Sequence, residues 1–118
     1  MRRWMVCVAC FVLIPVAGFA RIGVWEEVAS LDVARGGLGA AVVDGRICAI
    51  GGLGARFPIE GAVEAYHPER DVWTPRAFLP TPRVLFGGCN LGGMIYTVGG
   101  AEVVWTAQVE AYDPKSDR

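Results

Sequence analysis

Residues 39–52 read GAAVVDGRICAIGG, and residues 87–100 read GGCNLGGMIYTVGG. Each stretch consists of two short runs of strand length that are separated by a pair of turn-forming residues and closed by two glycines. Asp44-Gly45 and Gly92-Gly93 are pairs that favour the tight two-residue turn of a β-hairpin. The two stretches therefore predict antiparallel hairpins at the same place in two repeated units.

The similarity between these stretches extends along the chain as an internal repeat. The positions that match at a spacing of 48 residues are Trp25 and Trp73, Leu31 and Leu79, Arg35 and Arg83, Gly45 and Gly93, Ile47 and Ile95, and Gly51-Gly52 and Gly99-Gly100. Further on, Val63–Tyr66 recurs as Val109–Tyr112 at a spacing of 46 residues. The second unit has therefore lost two residues from one loop, a change that surface loops tolerate. A period of this size is typical of propellers and other repeat arrays.

Four short strands are predicted in the first unit, at residues 39–43, 46–50, 62–66 and 71–74. A loop at residues 53–61 separates the second strand from the third. The runs are bounded by turn-forming residues, and no segment after the first twenty residues has a sustained helical period. The pattern predicts an all-β fold of four-stranded antiparallel sheets, which is the architecture of a β-propeller blade.

The repeated residues resemble the kelch repeat. That repeat has an arginine before its inner strand, a glycine pair after the second strand, a tyrosine in the third and a tryptophan in the fourth. The corresponding residues are Arg35, Gly51, Gly52, Tyr66 and Trp73 in the first unit, and Arg83, Gly99, Gly100 and Tyr112 in the second. The resemblance covers residues 24–118. It implies kelch-type blades that form part of a propeller, with these residues as its structural positions.

The chain divides into a signal peptide at residues 1–20 and a repeat region at residues 21–118. The repeats cover residues 24–72 and 73–118, and we expect the second repeat to lack its last strand. Val24-Trp25-Glu26 is similar to a fourth strand, so we expect Trp25 to pack between strands or blades. A propeller usually has about 4–8 blades, so closing the ring requires further blades or self-association.

The N-terminus has the pattern of a secretory signal. Arg2 and Arg3 precede an apolar stretch at residues 4–19, and small residues precede Arg21. This pattern predicts a signal helix, cleavage after Ala20 and a secreted or extracytoplasmic protein. The stretch is shorter than the roughly 20 residues that a spanning helix needs, so we expect no stable membrane span after cleavage. The alternative is a membrane anchor at residues 4–19.

Charge and residue types exclude several classes of partner and cofactor. The chain has 12 acidic and 11 basic side chains, and the basic ones are scattered, so we expect no nucleic-acid partner. Cys48 and Cys89 lie in apolar runs, where they either pack separately or form a disulfide. His67, the one histidine, is predicted to be a solvated turn residue. These residues provide no zinc or copper ligand set, so we expect no metal or cofactor.

The candidate binding surface is formed by the loops that connect strand two to strand three and strand four to the next strand one. Antiparallel alternation brings these loops to the same edge of the blades. The candidate binding residues are Arg35, Arg56, Phe57, Arg83, Glu102 and Trp105. The kelch resemblance implies that the arginines before the inner strands reach acidic partners; alternatively they are structural and bind loop carbonyls. The loop aromatics favour recognition, or they cap the blade edge.

These observations favour a non-catalytic binding module of a secreted kelch-repeat protein, with a protein or a glycan as ligand. No catalytic residue is assigned. One alternative is part of a secreted enzyme similar to galactose oxidase or to sialic-acid epimerases, with its catalytic residues in other blades. A cytoplasmic ubiquitin-ligase adaptor is a third interpretation, against which the N-terminal pattern argues.

Overall fold

The computed structural model describes residues 23–56 and 58–118. The predicted signal peptide lies outside these residues. The described part of the chain is all β, and it contains no helix long and apolar enough to cross a membrane. The strands are β1 Arg35–Gly36, β2 Gly39–Val43, β3 Arg46–Ile50, β4 Leu53–Gly54, β5 Val63–His67, β6 Val72–Arg76, β7 Gly87–Leu91, β8 Met94–Val98 and β9 Val109–Tyr112.

The longer strands form two antiparallel sheets that follow the repeat. Blade 1 has the strand order β2-β3-β5-β6, and blade 2 has the order β7-β8-β9. The first hairpin pairs Val43 with Arg46 around Asp44-Gly45, and the second pairs Leu91 with Met94 around Gly92-Gly93. All four turn residues have positive φ, as a primed two-residue turn requires. The predicted antiparallel hairpins are confirmed.

The third and fourth strands of blade 1 each begin one residue later than predicted. Because β5 extends to His67, this side chain is buried and lies with Nε2 2.8 Å from the Thr74 hydroxyl of β6. The prediction that His67 is a solvated turn residue is therefore wrong.

The core lies between the two blades. Its buried residues are Ala41, Val43, Cys48, Ile50, Val63, Ala65, Leu79 and Ile95, and Phe86 and Tyr112 pack against them. Side chains alternate across a strand, so one face of each sheet contributes to this interface. A hydrogen bond from Asn90 Nδ2 to the Val42 carbonyl, 2.8 Å long, also joins the blades.

The cysteines do not pair with each other. Cys48 is buried in the core and Cys89 is exposed, and both are free thiols. Burial raises the pKa of the Cys48 thiol, which keeps it in the unreactive protonated form.

Trp25 differs from its repeat equivalent. Residues 24–30 form no strand, and the Trp25 side chain is fully exposed, with a relative exposure of 101%. The prediction that Trp25 packs between strands or blades is wrong. In the described residues, no tyrosine-bearing strand lies beside it as β5 lies beside Trp73.

Candidate functional site

The two arginines that precede the inner strands are buried. Both side chains have 0% relative exposure, and each pairs with a glutamate of the third strand, Arg35 with Glu64 and Arg83 with Glu110. Buried charges of this kind are tolerated in proteins when they are paired and hydrogen-bonded.

Hydrogen bonds to carbonyls add to these pairings and satisfy Arg83 more fully than Arg35, whose buried Nε has no hydrogen-bond partner. Arg83 Nη1 donates to the Gly99 and Gln108 carbonyls, each at 3.0 Å, and Nε donates to the Thr81 carbonyl at 3.2 Å. Arg35 Nη2 donates to the Ala49 carbonyl at 3.3 Å. These contacts favour the structural interpretation of both arginines, and neither guanidinium is presented to solvent.

The same arginines begin a backbone arrangement that joins the predicted loops. β1 pairs with β4 through Arg35 and Gly54, and in the second unit Val84 pairs with Ala101. Between the units, Gly52 N donates to the Arg83 carbonyl at 3.0 Å, and Leu85 N donates to the Gly37 carbonyl at 2.9 Å. The loops therefore form one surface, which we call the loop platform and define as residues 35–37, 52–56, 58–60, 83–85 and 99–107.

The first loop of the platform is a compact turn. Gly54 N donates to the Pro58 carbonyl at 2.9 Å, and Glu60 N donates to the Gly52 carbonyl at 2.8 Å. Arg56 is exposed at the tip of this turn. Phe57, the other candidate in this loop, lies outside the described residues.

The second loop presents apolar side chains to solvent on a braced backbone. Ala101 pairs with Trp105, Glu102 N donates to the Val104 carbonyl at 3.2 Å, and Thr106 N donates to the Gly100 carbonyl at 2.9 Å. Val103, Val104 and Trp105 have relative exposures of 91%, 73% and 76%, and Glu102 is exposed beside them. Val103 and Val104 were not among the candidate binding residues predicted from the sequence, although an apolar run inside a predicted loop could have indicated them.

A second repeated arrangement lies at the outer edge of the blades. In blade 1, Ala29 N and the Tyr66 hydroxyl each donate to Asp71 Oδ1 at 2.8 Å. In blade 2, Ala77 N and the Tyr112 hydroxyl donate to Asp117 Oδ1 at 2.9 and 2.6 Å. These backbone bonds, followed by the tyrosine bonds, lower the pKa of both aspartates.

The two tyrosines have different neighbours. The Tyr66 and Trp73 rings lie with their centroids 5.1 Å apart, and Trp73 Nε1 donates to the Ala29 carbonyl at 2.8 Å. Tyr112 instead accepts a hydrogen bond from Arg76 Nε at 3.1 Å. Burial, followed by the bond to Asp117, raises the pKa of Tyr112 to about 12. Through these bonds each tyrosine links the third strand of its blade to an aspartate that also binds the backbone of an earlier segment, Ala29 in blade 1 and Ala77 in blade 2.

No metal-binding cluster of three or more His, Cys, Asp or Glu side chains occurs within residues 23–56 and 58–118.

Comparison with known proteins finds individual relatives of the chain. No protein-family model matches it. It is 34% identical over 96 residues to Kelch-like protein 33 of Homo sapiens, covering 80% of this chain and 18% of that protein. It is 32% identical over 102 residues to Beta-scruin of Limulus polyphemus, covering 80% of this chain and 11% of that protein.

A third relative, the Influenza virus NS1A-binding protein of Homo sapiens, is 37% identical over 76 residues, covering 64% of this chain and 12% of that protein. The chain thus spans less than a fifth of the length of these relatives. The antiparallel sheets, the repeated Arg–Glu and Tyr–Asp arrangements and these similarities establish that the chain belongs to the kelch-repeat family.

Proposed function

We propose that the chain is a non-catalytic binding module of an exported kelch-repeat protein, and that its loop platform binds a protein partner. The observation that carries the proposal is the exposed apolar run Val103–Trp105 on a hydrogen-bonded loop. Exposed tryptophan is enriched among the residues that dominate protein interfaces. A braced loop loses little conformational freedom on binding, which lowers the entropic cost of association.

The chemistry of the platform fits a protein partner with a mixed apolar and charged surface. Trp105 and Val104 offer apolar contact area, while Glu102 and Arg56 offer one charge of each sign. Interfaces between proteins commonly surround apolar anchors with such a polar rim. One relative is named for binding the influenza virus protein NS1A, which supports protein recognition in this family.

The binding experiment places a photoreactive residue at Val104 in the purified chain and, as a control, at Glu69 in the turn at the opposite blade edge. We expect a partner protein from the native extracellular medium to crosslink at position 104 and not at position 69. Equal labelling at both positions would contradict the assignment of the platform.

The crosslinked partner is then purified and its Kd measured against variants. We expect Trp105→Ala to raise Kd by about tenfold or more, because a buried interface tryptophan commonly contributes at least ~1–2 kcal/mol. Glu69→Ala is the control and should leave Kd unchanged. A glycan ligand would instead appear as binding to a glycan array without a crosslinked protein, and would overturn the choice of a protein.

Export is proposed from residues 1–20 alone. N-terminal sequencing of protein from the culture medium should begin near Arg21. An intact Met1 on soluble cytoplasmic protein would contradict export.

A further inference from the structure

A cavity of about 360 Å³ lies between the two blades, away from the loop platform. Blade 1 forms one wall, and Pro114 and Lys115 of the turn after β9 form the other. Asp44, in the turn between β2 and β3, also lines the cavity. Antiparallel strands place these turns at the blade edge opposite the loop platform, so the cavity is separate from the proposed protein-binding surface. Cavities of about 300–1,000 Å³ are typical of small-molecule sites.

The charged side chains that line this cavity are mostly positive. Arg46, Arg76 and Lys115 each contribute a cation, and Asp44 contributes the one carboxylate among the described lining residues. Asp117 Oδ1 lies 3.4 Å from Arg76 Nε, but Asp117 does not line the cavity. Within residues 23–56 and 58–118, neither Arg46 nor Lys115 forms a salt bridge. The cavity therefore carries an excess of positive charge, which suits an anion.

Two of these cations act on the same thiol. Burial raises the pKa of the Cys48 thiol, and the charges of Arg76 and Arg46 oppose that rise. Both guanidinium charges are therefore close to Cys48, which lines the cavity. Arg76 is also held in place, since its Nε donates to the Tyr112 hydroxyl at 3.1 Å and its Nη2 donates to the Pro114 carbonyl at 2.7 Å. A cation that is already fixed lowers the entropic cost of binding a ligand.

The remainder of the blade 1 wall is apolar. Val43, Cys48 and Ala65 line the cavity, and each is almost fully buried. Apolar lining combined with a few placed polar groups is the usual composition of a small-molecule site. An organic group that carries the anion therefore gains apolar contact with this wall.

The kelch repeat does not itself require these cations. Met94 of blade 2 stands at the position equivalent to Arg46, and Glu69 of blade 1 stands at the position equivalent to Lys115. A blade therefore forms with a neutral or an acidic side chain at these positions. The positive charge is a property of this one cavity and not of the repeat.

We propose that the cavity binds a small phosphate monoester. The phosphate lies among the side chains of Arg46, Arg76 and Lys115, and the organic group lies against the apolar wall. Arginine matches phosphate oxygens with its planar fork of N–H donors, and lysine adds a point charge. A phosphate monoester carries about −1.5 to −2 charges at pH 7, which fits the excess of three cations over one carboxylate.

The first test titrates the isotopically labelled full chain with phenyl phosphate and follows the amide resonances by NMR at constant ionic strength, because salt screens such contacts. We expect saturable shifts of the Cys48 and Lys115 amides and no shift of the Val104 amide on the loop platform. The absence of saturable shifts at Cys48 and Lys115, or equal shifts at Val104, would overturn the proposal.

The variants in this titration use the side chains that the other repeat unit already carries. We expect Arg46→Met to raise the Kd for phenyl phosphate at least fivefold and Lys115→Glu to raise it at least tenfold, without lowering the melting temperature. Arg70→Met is the matched control, because it removes an exposed arginine outside the cavity and should leave Kd unchanged. An unchanged Kd in both cavity variants, or an equal rise in the control, would refute the site.

The second test compares ligands that differ in one property each. Phenyl sulfate keeps the ring but carries a single charge, and inorganic phosphate keeps the phosphate but has no ring. We expect each to bind at least fivefold more weakly than phenyl phosphate. Equal binding of phenyl sulfate would overturn the preference for a doubly charged group, and equal binding of inorganic phosphate would overturn the choice of an organic ester.

Discussion

At the scale of single residues, two buried arginines determine how the loops meet the sheets. Through one planar group, Arg83 contacts the segment before β7, the first glycine of the Gly99-Gly100 pair and the residue that precedes β9. The fork of five N–H donors lets one side chain bind several carbonyls and a carboxylate together, which a lysine ammonium does not reproduce. The way the loops meet the sheets therefore depends on the directions of the guanidinium N–H groups as well as on the positive charge.

We predict that Arg83→Lys lowers the free energy of unfolding by about 2–3 kcal/mol, because it leaves buried carbonyls without their charged donor. Arg70→Lys, in an exposed turn of blade 1, is the control and should change stability by less than about 0.5 kcal/mol. Urea unfolding measures both variants. A similar small effect at both positions would show that the Arg83 contacts do not stabilise the fold.

The role of these arginines was only partly predictable from the sequence. Their repetition was visible, but their burial depends on glutamates that lie 29 and 27 residues further along the chain. A signal was present, because Glu64 and Glu110 are charged residues inside repeated apolar strands. A charge at such a position requires a buried partner.

The exposure of Val103 and Val104 was not predictable from the sequence. It depends on how the loop folds, and the spacing of apolar residues along the chain does not report the conformation of a loop.

At the scale of elements, the glycine pair after the second strand of blade 2 allows the end of that strand to lie against the segment that precedes β7. Gly100 has a φ of 94°, and a Cβ placed on it would lie 2.6 Å from Phe86 Cβ and 2.7 Å from the Val84 carbonyl oxygen. Both the conformation and the space therefore require glycine.

We predict that Gly100→Ala destabilises the chain by about 3 kcal/mol or more, through left-handed strain and overpacking together. The control is Gly92→Ala in the hairpin turn, where φ is 62° but no atom lies within 4 Å of the added Cβ. It should lose only the strain of about 1–2 kcal/mol. Equal losses in thermal or urea unfolding would contradict the packing argument.

The turns after β5 and β9 make stability depend on acid. Asp71 and Asp117 have lowered pKa values in the folded chain, first because backbone N–H groups bind them and then because the tyrosines do. A lowered folded pKa means that the unfolded chain binds protons more readily. The stabilisation is therefore present above the ordinary aspartate pKa of about 3.9 and is lost as the pH falls through the lowered values.

We expect the urea midpoint to fall on acidification from about pH 6 to about pH 2, and to fall less in the double variant Asp71→Asn, Asp117→Asn. Asparagine keeps an acceptor oxygen and tolerates positive φ, so the turns should still form. Asp44→Asn, in the hairpin turn, is the matched control. An unchanged acid dependence in the double variant would refute the assignment.

The hairpins were predictable because their turn chemistry is local, whereas the short pair β1 and β4 was not. Two-residue strands have no periodicity, and their pairing joins Arg35 to Gly54 across a complete hairpin. Trp25 was wrongly predicted for the opposite reason. The local sequence around it matches a strand, but a strand also needs a neighbouring strand to pair with.

At the scale of the whole molecule, the blades form one interior interface and leave its two halves exposed at the ends. Val42 lies on the blade 1 end with 59% exposure, and Val98 lies on the blade 2 end with 49% exposure. Exposed apolar sheet faces favour association. Because these two exposed faces differ, copies of the repeat region that associate through them meet head-to-tail, and a charge on either face blocks one of the two surfaces.

We predict that Val42→Lys and Val98→Lys are each monomeric, because each variant retains only one of the two exposed apolar faces. Mixed in equal amounts, they should form a 1:1 dimer through the unaltered faces, as measured by size-exclusion chromatography with light scattering. Two copies of the same variant in the dimer, or the absence of mixed dimers, would contradict the head-to-tail arrangement.

The hydrogen bonds that join blade 1 to the segment before it close within residues 29–73, with separations of 44 residues between Trp73 and Ala29 and 42 between Asp71 and Ala29. All strands of blade 1 end by Arg76, so this sheet can form while the later residues are still being synthesised. At about 5–20 residues per second, residues 77–118, which contain β7, β8 and β9, take roughly 2–8 s to be synthesised. During that interval the face that carries Ile50 and Val63 has no blade 2 to cover it, and the nascent chain is open to chaperones for that time.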